Sequence, residues 1–275
     1  MDLPAYGGAD ALPWLDDDDL VLGYEAGGEV FAYPINILNF HEMVNDTIGG
    51  VPLLVTNCPL CFSGVVFGME VDGQTLTFGN TSALYQSNLV MYDHQTGSYW
   101  FQVGGEAVVG TLAGARLKPL PSATMPWRGW RALYPDTLLI TGAEGGLETL
   151  LASAAYGNGF DSCYQDRINN GNGQFAFPVD EDKLDGRLAA GAVTAFPLGE
   201  IGDGAVNAEV GGEAIVVFIT SGGRSIGAFF RTVEDQTLNF DYQGDGLFTD
   251  RETGSAWDFA DRAVKGPLAG GFWNG

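Results

Sequence analysis

The chain has 275 residues, with 35 acidic side chains against 12 basic ones and a formal charge of −23. Such a field repels nucleic acid and anionic membranes, so neither is an expected partner. A hydrophobic content of 45% supports a buried core, while the longest apolar runs (51–55 and 214–219) are far short of a membrane span.

No basic segment followed by an apolar stretch is present, so no signal peptide is read. Residues 1–19 form a lead-in. Residues 20–118 carry the first of two similar units. Within it, 37–43 has helical signal, Gly49-Gly50 reverses the chain, and the apolar run 51–56 reads as a fully buried strand. Residues 62–71 and 75–78 read as further strands, and Asp93-His-Gln-Thr-Gly97 is a hairpin signal. Residues 119–188 read as a connecting segment with one short helix at 127–133 and a Gly- and Asn-rich surface stretch at 156–173. Residues 189–275 form the second unit. With 41 glycines and short elements, the expected fold is mainly β, α+β at most. Two pseudo-symmetric β-rich repeats, packed into one body with few short helices, are the expected arrangement.

The duplication is visible residue by residue. Val30-Phe-Ala-Tyr-Pro34 returns as Val193-Thr-Ala-Phe-Pro197, and Val44-Asn45 with Gly49-Gly50 returns as Val206-Asn207 with Gly211-Gly212. Gln74-Thr-Leu-Thr-Phe78 matches Gln236-Thr-Leu-Asn-Phe240; Asp93 and Thr96-Gly-Ser-Tyr-Trp100 match Asp250 and Thr253-Gly-Ser-Ala-Trp257. Gly110-Thr-Leu-Ala-Gly114 returns as Gly266-Pro-Leu-Ala-Gly270. Such ordered self-similarity is the mark of a repeated structural unit.

Where the copies differ, polar residues are lost from the second. His41 aligns with Asp203, Asp46 with Ala208, Cys58 with Thr220 and Cys61 with Gly223. The second copy is also about five residues shorter where the first carries residues 80–92, including Tyr85, Ser87 and Asn88. Shared Pro, Gly and Trp positions therefore read as fold, and His41, Cys58, Cys61, Tyr85 and Asn88 as the candidate site. If both flanks of Gly49-Gly50 are extended, His41 faces Cys58 across the ladder; a helix through His41 breaks that register.

The string Tyr33-Pro34, Asn39-Phe-His-Glu-Met-Val-Asn-Asp46, Gly49-Gly50, Cys58-Pro-Leu-Cys61, Leu84-Tyr-Gln-Ser-Asn-Leu-Val-Met-Tyr-Asp93, Thr96-Gly-Ser98 and Trp100 resembles the bacterial and archaeal DUF3179 family. The resemblance spans most of residues 20–275. It implies kinship without an activity, and members that are often exported or lipid-anchored.

Three chemistries suit the site. A CxxC pair with a distant imidazole can hold one metal, so His41, Cys58 and Cys61 form a candidate Cys2His centre for zinc or copper, with Asp46, Met91 or water as fourth ligand. The same thiols can act without metal. One is then a nucleophile with His41 as base and Asn45 or Asp46 as orienter, or the two cycle through a disulfide. The third reading is a non-catalytic ligand-binding module. A metal ion or a small-molecule substrate is the expected partner. Cys163 stands apart from the pair, and three cysteines exclude a multi-bridge scaffold. Residues 241–252 match a calcium loop at four positions, but the repeat sets them on a hairpin.

Overall fold

The computed structural model describes residues 1–143, 186–189, 192–196 and 201–270, apart from positions 3, 27, 60, 62, 87, 211, 221, 223, 224 and 234. The chain is mainly β, with two short helices among the described residues. In order come β1 (Pro4–Gly7), β2 (Leu20–Ala26), β3 (Glu29–Pro34) and α1 (Ile35–His41). Then follow β4 (Met43–Ile48), β5 (Val51–Cys58), β6 (Ser63–Gly68), β7 (Glu70–Val71) and β8 (Gln74–Thr75). β9 (Phe78–Tyr85), β10 (Asn88–Asp93), β11 (Tyr99–Phe101) and β12 (Glu106–Val109) complete this series. β13 (Lys118–Leu120), β14 (Ala123–Pro126), α2 (Trp127–Leu133) and β15 (Leu138–Ala143) come next. After them run β16 (Gly186–Ala189), β17 (Ala192–Ala195), β18 (Gly204–Val210), β19 (Glu213–Thr220) and β20 (Ser225–Phe230). The chain continues with β21 (Thr232–Val233), β22 (Gln236–Thr237), β23 (Phe240–Gly244), β24 (Leu247–Asp250), β25 (Ala256–Trp257) and β26 (Ala263–Lys265).

Two compact units form: Met1–Ser122 with Pro126–Pro178, and Ala123–Met125 with Val179–Gly275. In the first, β1, β15, β3 and β2 adjoin in that order, with β15 parallel to β3. A second sheet runs β13-β6-β5-β4 and a third β12-β11-β10-β9. The lead-in thus supplies β1, and the connecting segment β14, β15 and most of β13, strands that no periodicity announced. In the second unit β14, β20, β19 and β18 adjoin, and β23-β24-β25-β26 form a further sheet. The stretch 156–173 and Cys163 lie outside the described residues.

The repeat persists at the level of register. Gly23 pairs with Ala32, as Gly186 does with Ala195. Val44 pairs with Val55, and Val206 with Val217. Cys58 opposes Ser63, and Thr220 opposes Ser225. The β4–β5 hairpin turns on Gly49 (φ 57°) and Gly50 (φ 81°), a left-handed pair matching the twist of two-residue hairpins. Side-chain clamps recur too. Asn45 bonds both the N–H and the carbonyl of Phe78 (2.8 and 2.9 Å), and Asn207 does the same to Phe240. The orienting role considered for Asn45 is therefore replaced by a structural one.

Both helices follow a proline, Pro34 and Pro126, whose missing N–H costs nothing where the first-turn donors lack helical partners. α1 begins earlier than the pattern suggested and stops at His41, because Glu42 turns left-handed (φ 58°). α2 seats Trp130 over Gly23, where a Cβ would meet the indole ring at 2.2 Å. Residues 241–252 form the β23–β24 hairpin and its following turn, with Asp241 paired to Arg251 at 2.6 Å.

One buried group works against the fold. Asp261 is 7% exposed, its Oδ1 has no hydrogen-bond partner among the described residues, and burial, with the nearby Asp258 charge, pushes its carboxyl well up. The folded chain therefore holds this proton more tightly than the unfolded chain, so stability is lost as pH rises through and above the ordinary carboxylate range. Asp261→Asn, which also tolerates the positive φ at this position, should melt at a higher temperature than wild type at neutral pH. The difference should shrink toward zero as pH falls below ~4. Thermal melts across that range test it, and a pH-independent gap would refute it.

Candidate functional site

β5 ends at Cys58 and β6 begins at Ser63. Between the two strands the Cys61 N–H donates to the Cys58 carbonyl at 3.1 Å, and the chain reverses. Proline suits the second position of such a turn. The reversal brings the two Cα atoms to 5.4 Å, and a disulfide joins the cysteines. The pair thus sits on a hairpin. Among the described residues no helix begins at the pair to favour a thiolate, unlike a CxxC that opens a helix.

The two sulfurs have different surroundings. Cys58 is 1% exposed, in a core with Met43, Leu54, Phe67, Leu89, Met91 and Trp100. Cys61 is half-buried, and Asn88 Nδ2 donates to its Sγ at 3.2 Å. Asn88 reaches the sulfur through the extra residues of the first repeat. In the second repeat the β23–β24 hairpin closes at Gly244 opposite Leu247. In the first, β9 and β10 run on past a bulge at Thr81 and Ser82 to close at Tyr85 opposite Asn88.

A buried polar chain lies behind Asn88. Its Oδ1 accepts the Val103 N–H at 3.0 Å, and its Nδ2 also donates to Ser63 Oγ at 3.3 Å. Ser63 Oγ donates to Gln102 Oε1 at 3.1 Å. Gln102 Nε2 donates to Thr56 Oγ1 (2.8 Å) and the Ser63 carbonyl (3.2 Å), and Thr56 Oγ1 donates to the Val65 carbonyl (2.8 Å). Gln102 and Thr56 are fully buried.

Of the residues singled out in the sequence, Cys58, Cys61 and Asn88 come together. His41 ends α1, so the helix takes it off the β4–β5 ladder that would have set it opposite Cys58; the ladder resumes with the Asn57 N–H donating to the Glu42 carbonyl at 2.7 Å. Tyr85 is exposed at the hairpin end, edge-on to Phe101 at 5.5 Å. Asp46, considered as ligand or orienter, is engaged elsewhere. Tyr6 and Tyr33 both donate to its Oδ2, and burial above all holds both phenols protonated far into the alkaline range. Ser87 lies outside the described residues.

The expected Cys2His donor set does not fit zinc or copper in this form. Both sulfurs are spent on each other, leaving no thiolate to ligate. Among the described residues no group of three or more His, Cys, Asp or Glu side chains converges to hold a metal ion.

Thr56, Ser63 and Gln102 escaped the reading of the sequence, though a signal for two of them was there. The duplicated registers align Thr56 with Phe218 and Gln102 with Phe259, so polar residues stand where the second repeat has aromatic ones.

Among known protein families, the model of DUF3179, described as a protein of unknown function, matches the chain over residues 1–274. No curated protein and no solved structure matches the chain.

Replacing both Cys58 and Cys61 with Ser should lower stability by about 2 kcal/mol, the entropic worth of so short a closed loop, and leave the fold intact, since β19–β20 forms with Thr220 at the Cys58 position. Denaturant unfolding with circular dichroism reads both. Loss of cooperative unfolding would show instead that the bridge is required for the fold.

Proposed function

We propose that this chain, which belongs to the DUF3179 family, is a thiol–disulfide exchange protein whose redox pair is Cys58–Cys61. The observation that carries the reading is the asymmetry of the bridge. One sulfur is sealed in the core, and the other is half-buried beside a polar donor. A bridge serving stability alone has no use for that arrangement, and the second repeat builds the same hairpin register without a cysteine at the first position.

In the exchange, a substrate thiolate attacks Cys61 Sγ. A substrate–Cys61 disulfide forms, the Cys58–Cys61 bond breaks, and its electron pair leaves on Cys58, which takes up a proton. A second substrate thiolate attacks the substrate sulfur of that mixed disulfide, releases the oxidised substrate and leaves Cys61 as a thiolate. Two thiols are oxidised to one disulfide, and the protein disulfide is reduced to two thiols. The partners are therefore small thiols or paired cysteines of another protein. Cys58 is the resolving residue, because its apolar surroundings disfavour a standing thiolate and an outside reagent meets Cys61 first.

The test is trapping. Cys58→Ser, incubated natively with oxidised glutathione, should accumulate a mixed disulfide at Cys61, read by non-reducing peptide mass spectrometry. Cys61→Ser should accumulate about tenfold less at Cys58, in line with the dependence of exchange on access. If dithiothreitol opens the wild-type bridge only under conditions that unfold the chain, the bridge is structural and the reading fails.

A further inference from the structure

The hydrogen bonds around the bridge have a forced direction. The Val103 backbone N–H can only donate, so the Asn88 atom facing it is the oxygen, and the amide nitrogen faces Cys61 and Ser63. At the other end, the Val65 and Ser63 carbonyls can only accept. Thr56 therefore spends its hydroxyl hydrogen on Val65, and Gln102 must turn its nitrogen toward Thr56 and the Ser63 carbonyl. The Gln102 oxygen is left for Ser63, which gives it the hydroxyl hydrogen and keeps its lone pairs for Asn88. One Asn88 N–H goes to Ser63, and the second has Cys61 Sγ as its acceptor. No flip of either amide and no rotation of either hydroxyl reverses the chain without setting two donors or two acceptors face to face.

A neutral disulfide sulfur is a weak acceptor, whereas a thiolate is a strong, charged one, so this N–H gains most when Cys61 carries negative charge. The hairpin denies the pair a helix dipole, which leaves the amide to stabilise that charge. The second repeat supports the assignment independently. With Thr220 in place of Cys58, it has Phe218 and Phe259, both buried, where the first repeat has Thr56 and Gln102, and its shorter hairpin already closes at Gly244 opposite Leu247. Of the polar chain the second repeat keeps only a serine, Ser225, at the place of Ser63, while Thr56 and Gln102 give way together with Cys58.

We propose that Asn88 is a preset hydrogen-bond donor to the Cys61 thiolate, and that Gln102, acting through Ser63, is the positioning residue that keeps it aimed. The proposal rests on the exchange reading above and assigns the residues that make Cys61 the reactive thiol.

The experiment follows alkylation of Cys61 by iodoacetamide in the reduced, folded full chain as a function of pH, resolved by peptide mass spectrometry. Asn88→Ala should move the midpoint of the pH–rate profile up by about one unit, a roughly tenfold loss of thiolate at a given lower pH. Asn88→Asp should move it further, since a carboxylate cannot donate and adds like charge. Gln102→Met should move it in the same direction by less. Should Asn88→Ala fail to fold, Ser63→Ala breaks the chain one bond back and should give the Gln102→Met result. Variants that unfold more easily yet keep the wild-type midpoint would overturn the proposal and leave the exchange reading standing. A wild-type Cys61 that stays unalkylated at every pH until the chain unfolds would sink both.

Discussion

Each repeat hangs on a buried aspartate that opens a tight turn. Asp93 accepts the Trp100 indole N–H at 2.9 Å and the backbone and hydroxyl donors of Thr96, while Thr96 and Ser98 bond each other at 2.7 Å. Asp250, Trp257, Thr253 and Ser255 repeat this, down to the 2.9 Å indole bond. Burial alone would push the Asp93 carboxyl up, but the indole and turn donors outweigh it and hold it below the usual carboxylate range. A buried charge is tolerable only when so fully satisfied, and satisfying it fixes the strands on both sides of the turn. Trp100 is thereby set edge-on to Phe78 at 5.6 Å, as Trp257 is to Phe240. Because Asp93 is the last residue of β10, the same bonds set the register at which Asn88, its first residue, meets Cys61.

Built on this shared frame, the repeats diverge in what they bury. Tyr33 donates to Asp46 in the first; Phe196 and Ala208, the matching residues in the second, pack on Val210 and Ile215. Thr56 and Gln102 give way to Phe218 and Phe259, and Phe218 stacks on Phe248 at 3.7 Å. The second repeat is the cheaper solution, since each unsatisfied buried donor or acceptor costs about 1–3 kcal/mol and an apolar core carries none of that risk. The first repeat takes the risk around the cysteine pair. Polar burial that the fold demonstrably does without points to chemistry as its reason.

The site uses backbone ends as anchors. Val103, Ser63 and Val65 present main-chain groups whose polarity cannot change, and the side chains between them inherit a direction. Such a chain takes its direction from main-chain groups and needs no charged residue to set it.

Much of this was legible in the order of residues. The duplication, the β character, the Gly49-Gly50 turn, α2 and the choice of Cys58, Cys61 and Asn88 as candidates follow from local patterns and from comparing one half of the chain with the other, because turn chemistry and side-chain alternation are short-range properties. The strands β1, β13 and β15 were not legible, since their pairing depends on partners far along the chain. Nor was the state of the CxxC pair. Its spacing suits a metal, a free thiol and a bridge alike, and His41 was free to be extended or helical. Only the tertiary structure decided that the β5–β6 reversal joins the sulfurs, that α1 carries His41 off the ladder, and that Gln102 stands behind Asn88. The physical reason is that burial and hydrogen-bond direction are set by neighbours brought together across the sheets, and spacing along the chain does not encode them.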